Sequence, residues 1–246
     1  MSNWVKIIVA GSLFLTAASA FAQDEEAVVE LGWSGTGEFG FVSTTGNTET
    51  VALNAKLNFI LQQEQWRHRF SGTALSTSED GIQDNERYTM EVQSDRILSE
   101  KSWLFGAFRW DADKFGSYDP QMSLTAGYGR QLMKSEKHEL KGEIGAGYKE
   151  LEETVSGDTS SEAIARFLLD DSWQVFKTTL WTNRLLVEAG SSNTFTQFNT
   201  GLAVSMTEKF ALKLGFEIRN NSDVPKGIAD SENTDTITSA NLVYNF

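Results

Sequence analysis

Residues 33–246 are dominated by short segments in which apolar and polar side chains alternate, and this period of two constrains the fold most. Successive side chains of a β-strand point to opposite faces, whereas a helix repeats every 3.6 residues. A strand that crosses a bilayer at a tilt needs about 9–11 residues. Twelve segments fit: 33–43, 49–61, 66–74, 87–97, 103–114, 121–132, 138–150, 163–169, 173–187, 194–206, 210–220 and 234–246. The sequence therefore predicts an all-β chain of about twelve strands.

The two faces of these segments differ in character. In the second segment, Leu53 and Leu57 share a face, and Lys56 shares the other with polar neighbours. Aromatic residues fall on the apolar face near the segment ends, as in an interfacial girdle: Trp66, Tyr88, Trp103, Trp110, Tyr128, Tyr148, Tyr244 and Phe246. The ninth segment is ambiguous because Leu180 and Trp181 are adjacent. An apolar face toward lipid and a charged face toward a lumen predict a closed, antiparallel, up-and-down transmembrane β-barrel. Twelve is an even number of strands, as single-chain bacterial barrels require.

The charged residues on the second face are the candidate functional residues, because they would line the lumen. Both signs occur among them: Lys56, Arg67, Arg69, Glu91, Asp95, Arg109, Asp111, Asp113, Glu139, Lys141, Glu143, Arg166, Lys213, Glu217 and Arg219. Eight-stranded barrels are filled by side chains and sixteen-stranded barrels hold an aqueous channel, so twelve strands are intermediate. These side chains could bridge the lumen and close it, or line a narrow polar pore.

The last strand carries a second signal. Leu242, Tyr244 and Phe246 alternate up to the final residue. The final strand must pair with the first, since an open sheet edge is not stable in lipid. We expect these three residues to close the barrel and to present the C-terminal strand to the barrel-assembly machinery.

The N-terminal residues read as a secretory signal peptide. Lys6 supplies the positive charge, residues 7–18 the apolar stretch, and Ala20-Phe21-Ala22 the cleavage site. Cleavage after Ala22 would leave a periplasmic lead-in over residues 23–32 and one barrel domain over residues 33–246, located in the bacterial outer membrane.

The connections predict an orientation. Long polar connections follow odd-numbered strands, at 75–86, 115–120, 151–162 and 221–233, and short turns follow even-numbered strands. Barrels of this kind have long outer loops and short periplasmic turns. The short connections 44–48 and 189–193 weaken this regularity.

Composition limits the partners. The formal net charge is −13, which argues against nucleic acid, and the chain has no cysteine. Acidic residues cluster in the predicted outer loops, where they would be solvated or meet divalent cations beside lipopolysaccharide. The expected partners are outer-membrane lipid and lipopolysaccharide, with small polar solutes or divalent cations as further options. No cofactor and no metal site are expected.

Short motifs carry a resemblance to a known family. They are Trp33-Ser34-Gly35 leading to Thr45-Gly46-Asn47-Thr48, the run from Arg109 to Phe115, Gly127-Tyr128-Gly129, and Tyr244-Asn245-Phe246. With these motifs the chain resembles a family of uncharacterised outer-membrane β-barrels labelled salt-induced outer-membrane proteins. The resemblance implies location and architecture, and a link to salt or osmotic stress, but no catalytic residues.

Three functions remain open at this point. The first is a non-enzymatic envelope protein, either structural or a narrow solute channel. The second is an outer-membrane lipid hydrolase, which would need a Ser and a His on one outward face; we interpret His68 as an interfacial residue and His138 as a turn residue instead. The third is a secreted soluble β-barrel that binds a ligand, with its apolar face inward.

Overall fold

The computed structural model describes residues 31–44, 50–223 and 233–246, and these form twelve strands. The strands are β1 (Gly32–Thr44), β2 (Thr50–Gln62), β3 (Trp66–Glu79), β4 (Ile82–Ser99), β5 (Ser102–Asp113), β6 (Tyr118–Lys134), β7 (His138–Glu153), β8 (Thr159–Phe176), β9 (Thr179–Ala189), β10 (Thr194–Ser205), β11 (Phe210–Asn221) and β12 (Thr234–Asn245). The predicted signal peptide, most of the lead-in and the turn at Gly46-Asn47 lie outside the described residues. Within those ranges, no helix is long and apolar enough to cross a membrane.

Every strand pairs antiparallel with its neighbours in sequence, and β1 pairs with β12. The sheet is therefore a closed up-and-down barrel, and the predicted fold class is confirmed. The closing register runs from Thr36 opposite Asn245 to Phe39 opposite Leu242. Beyond it, the backbone of Gly35 donates to the Phe246 carbonyl at 2.9 Å and accepts from the Phe246 amide at 3.0 Å.

The Phe246 ring covers this seam from outside. A Cβ at Gly35 would lie 2.5 Å from the ring, so the glycine leaves the room that the ring occupies. The ring also packs edge-on against Phe59, with 5.3 Å between centroids. The role of Leu242, Tyr244 and Phe246 in recognition by the assembly machinery stays a prediction.

The apolar face of the barrel points outward. Large hydrophobic side chains on nearly every strand are exposed to the surroundings; Leu124, Ile144 and Leu214 are 64%, 62% and 58% exposed. The residues between them in sequence face the interior, and many are charged and buried. This is the inverse of a soluble barrel, because an apolar surface of this extent is stable only in lipid.

The connections differ from the sequence prediction in two ways. The first is that strands run further toward the loops, so the predicted connections 115–120 and 151–162 cover only residues 114–117 and 154–158. Residues 75–86 are not a long loop: β3 and β4 continue to Glu79 and Ile82 and join through Asp80-Gly81. Both turn residues have positive φ, 50° and 77°, as a two-residue type I′ hairpin requires. The strands extend because ladder hydrogen bonds form equally well between polar residues beyond the membrane.

The second difference concerns the ninth strand. Trp173 does not begin β9, since β8 runs on to Phe176 and a two-residue turn leads to Thr179. The Trp173 and Trp181 rings then lie side by side on the outer face, 6.0 Å apart. This resolves the ambiguous face: Trp181 points outward and Leu180 inward, in phase with the inward Arg184.

The two ends of the barrel differ. Connections after even-numbered strands, at the end we call the turn end, have two to four residues. At the opposite end, the loop end, the connections range from two residues at Asp80-Gly81 to twelve at 222–233 between β11 and β12. We expect the loop end to be the outer one.

In the loop after β5, a hydrogen bond to the Glu86 carboxylate raises the pKa of the Lys114 ammonium above its ordinary value.

Candidate functional site in the barrel interior

The interior is filled on one side and open on the other. The inward side chains of β5, from Trp103 to Asp113, are each at most 5% exposed, and those of β6 and β8 are also buried. Inward side chains of β2 and β3, by contrast, are half-buried at mid-strand, including Lys56, Ser71 and Thr73. We call the inward faces of β5–β8 the filled wall. The inward faces of β2, β3, β10 and β11 are the open wall, because mid-strand residues of β10 and β11 such as Asn199 and Lys213 are also half-buried, whereas Phe195 and Arg219, nearer the loop end, are buried.

Glu143 on β7 is the centre of the filled wall. Its Oε1 accepts hydrogen bonds from Arg69 on β3 at 2.9 Å, Gln93 at 2.9 Å and Trp103 at 3.1 Å. Its Oε2 accepts from Arg166 on β8 at 2.8 Å. Four donors on four strands hold one carboxylate that is 2% exposed, so the group ties the two sides of the barrel together.

Asp95 extends this network toward the turn end. The Arg67 Nε donates to it at 2.7 Å, the Arg69 Nη2 lies 3.1 Å from it, and Gln93 donates at 2.8 Å. The Arg67 guanidinium also lies over the Trp103 ring, 5.0 Å from its centroid. Trp103 is therefore an interior residue, and its prediction as part of the outer girdle is wrong; it shares the phase of Arg109, which points inward.

A second network crosses the barrel nearer the loop end. Arg109 on β5 and Arg219 on β11 both bind the Asp111 carboxylate, which is fully buried. Arg87 binds Asp113 on the neighbouring strand and Asp235 on β12. Asp111 and Asp113 thus form ion pairs with arginines. The described residues hold no group of acidic side chains suited to a metal ion.

A third bridge spans the lumen from β9 to β4. The Arg184 Nη2 lies 2.9 Å from Glu91, and the Nη1 lies 3.0 Å from Asp170 on β8. Arg166 is 3.7 Å from the same Glu91. Arg184, Glu91 and Asp170 are 32%, 20% and 28% exposed, so this bridge stands in contact with water, unlike the Glu143 network.

On the open wall, Lys213 and Lys56 lie on either side of Glu38. Lys213 on β11 binds both oxygens of Glu38 on β1, at 2.8 and 3.0 Å. Lys56 lies opposite Glu38 in the β1–β2 register, yet among the described residues its ammonium has no hydrogen-bond or ion-pair partner. Glu217 accepts from Gln197 at 2.9 Å and is 3.9 Å from Arg87. On β7 of the filled wall, near the turn end, Lys141 pairs with Glu139 at 3.0 Å.

Glycines let the filled wall pack densely. A Cβ at Gly129 would lie 2.1 Å from the Trp103 ring, and one at Gly145 would lie 2.9 Å from Phe105. The aromatic side chains therefore occupy the space that a Cβ would fill on β6 and β7. Phe105 in turn carries the Arg166 guanidinium 4.8 Å above its centroid.

Some interior residues were not among the sequence candidates. Phe195 is fully buried, and Arg109, Lys149 and Arg219 surround its ring. Phase alone could have identified the other omitted members, because they share a face with recognised neighbours: Glu38, Arg87, Phe105, Lys149, Asp170, Arg184 and Glu188.

The two histidines lie on the outer face near the turn end. His68 Nδ1 is 2.9 Å from the Ser94 hydroxyl on the next strand, and its ring stacks on Trp66. His138 is the first residue of β7 rather than a turn residue, and its Nε2 is 2.6 Å from Asp171. A serine and a histidine thus do meet on one outward face, although the described residues show no third group on His68.

Comparison with known proteins agrees with this geometry. The family described as "Protein of unknown function, DUF481" matches residues 37–246. A protein of Escherichia coli (strain K12), "Uncharacterized protein YdiY", is 26% identical over 244 residues, which cover 97% of this chain and 95% of the relative.

Two solved structures share the architecture. The outer membrane channel COG4313 from Pseudomonas putida F1 has a TM-score of 0.51 at 12% identity, covering 92% of this chain and 100% of that one. The NanC porin has a TM-score of 0.50 at 12% identity, covering 87% and 99%. At these identities the likeness concerns the fold, which is that of an outer-membrane β-barrel.

Proposed function

Since the chain belongs to the DUF481 family, whose match runs from β1 to the last residue, we propose that it is a non-enzymatic outer-membrane channel with a narrow, off-centre path for small polar solutes. The observation that carries this proposal is the asymmetry of the interior. Half-buried polar side chains line the open wall at mid-depth, while the filled wall excludes water.

The cross-lumen ion pairs limit the width of the path. Arg69 reaches Glu143 from β3 to β7, Arg184 reaches Glu91 from β9 to β4, and Arg219 reaches Asp111 from β11 to β5. Each pair joins strands that are not neighbours, so each occupies part of the cross-section. A solute must pass beside these pairs along the open wall, which admits only small species.

The proposal predicts a small conductance. In a planar bilayer, the purified barrel should give discrete current steps well below those of a sixteen-stranded porin recorded in the same salt, because the filled wall occupies much of the lumen. Heat-unfolded protein from the same preparation is the control. A folded barrel that passes no current at any voltage would indicate a purely structural envelope protein instead.

The setting of this channel is also part of the proposal. We expect export with cleavage after Ala22, insertion by the assembly machinery through β12, and contact with lipopolysaccharide at the loop end. From the resemblance to barrels labelled salt-induced, we expect the channel to be needed under salt or osmotic stress. Its acidic loop residues would meet divalent cations there.

The contact between His68 and Ser94 favours lipid hydrolysis as a second candidate function. The serine hydroxyl would attack an acyl carbonyl while the imidazole takes its proton and passes it to the lysophospholipid oxygen that leaves. Water would then hydrolyse the acyl-serine and release the fatty acid. The expected result under the leading proposal is that vesicles of phosphatidylethanolamine containing the barrel release no fatty acid. Release that Ser94→Ala abolishes and His138→Ala preserves would establish the hydrolase instead.

A further inference from the structure

We infer that the path selects small anions, and that the Lys56 ammonium on the open wall sets this selectivity. The inference rests on the proposed channel and names the class of solute that it carries. It follows from how the charges of the interior are partnered at the level of Lys56.

The carboxylates around Lys56 are already engaged by other groups. Glu217 accepts a hydrogen bond from Gln197 at 2.9 Å and lies 3.9 Å from Arg87. Both oxygens of Glu38 bind Lys213, and Asn241 lies 3.4 Å from one of them. Glu91 and Asp170 share Arg184, and Glu91 is also close to Arg166. An ion moving along the open wall therefore meets these carboxylates as ion pairs, whose fields largely cancel at a distance.

Among the described residues, Lys56 is the cation of the open wall that no carboxylate contacts directly, although Glu38 lies opposite it in the β1–β2 register. Its side chain is half-buried at the middle of β2, and in the described parts of the chain it has no bonded partner. Its inward neighbours on β2 and β3 are uncharged hydrogen-bonding groups, Asn58, Ser71 and Thr73. Asn58 donates to Thr36 and accepts from Ser71, so the amide is occupied and does not neutralise the ammonium.

This arrangement suits an anion in transit. A fixed, water-accessible positive charge in a low-dielectric wall attracts anions and repels cations. The uncharged hydroxyl and amide groups beside it can replace part of an anion's hydration shell. A single unpaired ammonium binds weakly enough for the anion to leave again, which conduction requires.

The acidic residues at the loop end oppose this effect, and ionic strength separates the two. The Debye length is about 10 Å at 0.1 M salt and about 3 Å at 1 M. High salt therefore screens the distant rim charges while an ion in the narrow path still meets Lys56 at close range. The anion preference should be larger in concentrated than in dilute salt.

Reversal potentials in a potassium chloride gradient test the inference. At about 1 M salt, the wild-type barrel should prefer chloride over potassium, Lys56→Gln should lose most of this preference, and Lys56→Glu should prefer potassium. Lys177→Glu, the same charge change in the exposed turn between β8 and β9, should match wild type. Folding of each variant is verified by heat-modifiable migration, and Lys56→Gln decides the outcome should Lys56→Glu fail to fold.

The outcomes separate the two proposals. A current that prefers potassium in wild type, or whose reversal potential is unchanged in Lys56→Gln, would overturn anion selection and leave the channel standing. Absence of current in every folded variant would overturn the channel and anion selection together.

Discussion

Glu143→Ala should lower the free energy of unfolding of the barrel by about 3–5 kcal/mol, the cost of removing one partner from a buried ion pair. The substitution removes both carboxylate oxygens from a site that is closed to water, where the Arg166 side chain is only 2% exposed. The side chains of Gln93 and Trp103 lose an acceptor at the same time. The buried Arg166 guanidinium then lies over the Phe105 ring with Glu91, 3.7 Å away, as its remaining counter-charge.

A matched control lies on the same strand. Glu139 also points inward from β7 and also pairs with a basic residue, Lys141, but the two side chains are 23% and 27% exposed. Glu139→Ala should therefore cost only about 0–1 kcal/mol, as exposed pairs do. Urea unfolding of the lipid-inserted barrel, followed by tryptophan fluorescence, measures both variants.

The difference between the unfolding midpoints of Glu143→Ala and Glu139→Ala tests whether the Glu143 network stabilises the interior. Equal midpoints for the two alanine variants would mean that the Glu143 network does not hold the interior together. Glu143→Gln should fall between wild type and Glu143→Ala, since the amide oxygen can still accept from one arginine while its NH₂ group faces the other.

The period of two was sufficient to predict the barrel and its outward face. Alternation marks strands wherever one face meets lipid, because the contrast between apolar and charged residues is then large. Beyond the membrane this contrast disappears, and so the sequence predicts an end of β3 that is too early and a start of β4 that is too late. The Asp80-Gly81 dipeptide is a hairpin signal that would have corrected this.

The interior was predictable as a list of residues but not as a set of contacts. Phase along a strand tells that Arg87 and Asp235 both face inward, yet 148 residues separate them in sequence. Which side chains meet across a lumen depends on the shear of the barrel and on where large and small side chains lie, as with Gly129 beside the Trp103 ring. The split into a filled and an open wall depends on these same factors.

The open wall can be examined directly with a thiol probe, because the chain contains no cysteine of its own. Thr73 and Thr125 make a matched pair: both are inward-facing threonines in the middle of their strands. Thr73 is half-buried on the open wall, whereas Thr125 is 4% exposed on the filled wall. Leu214→Cys, on the outer face, adds a position that should face lipid.

The most direct measurement is the rate at which a small, charged methanethiosulfonate reagent labels Thr73→Cys and Thr125→Cys in barrels inserted in vesicles. The expected result is fast labelling at residue 73 and, at residues 125 and 214, rates lower by on the order of 100-fold, since only water-accessible thiolates react. Equal labelling of residues 73 and 125, or none at residue 73, would contradict a water-filled path along the open wall.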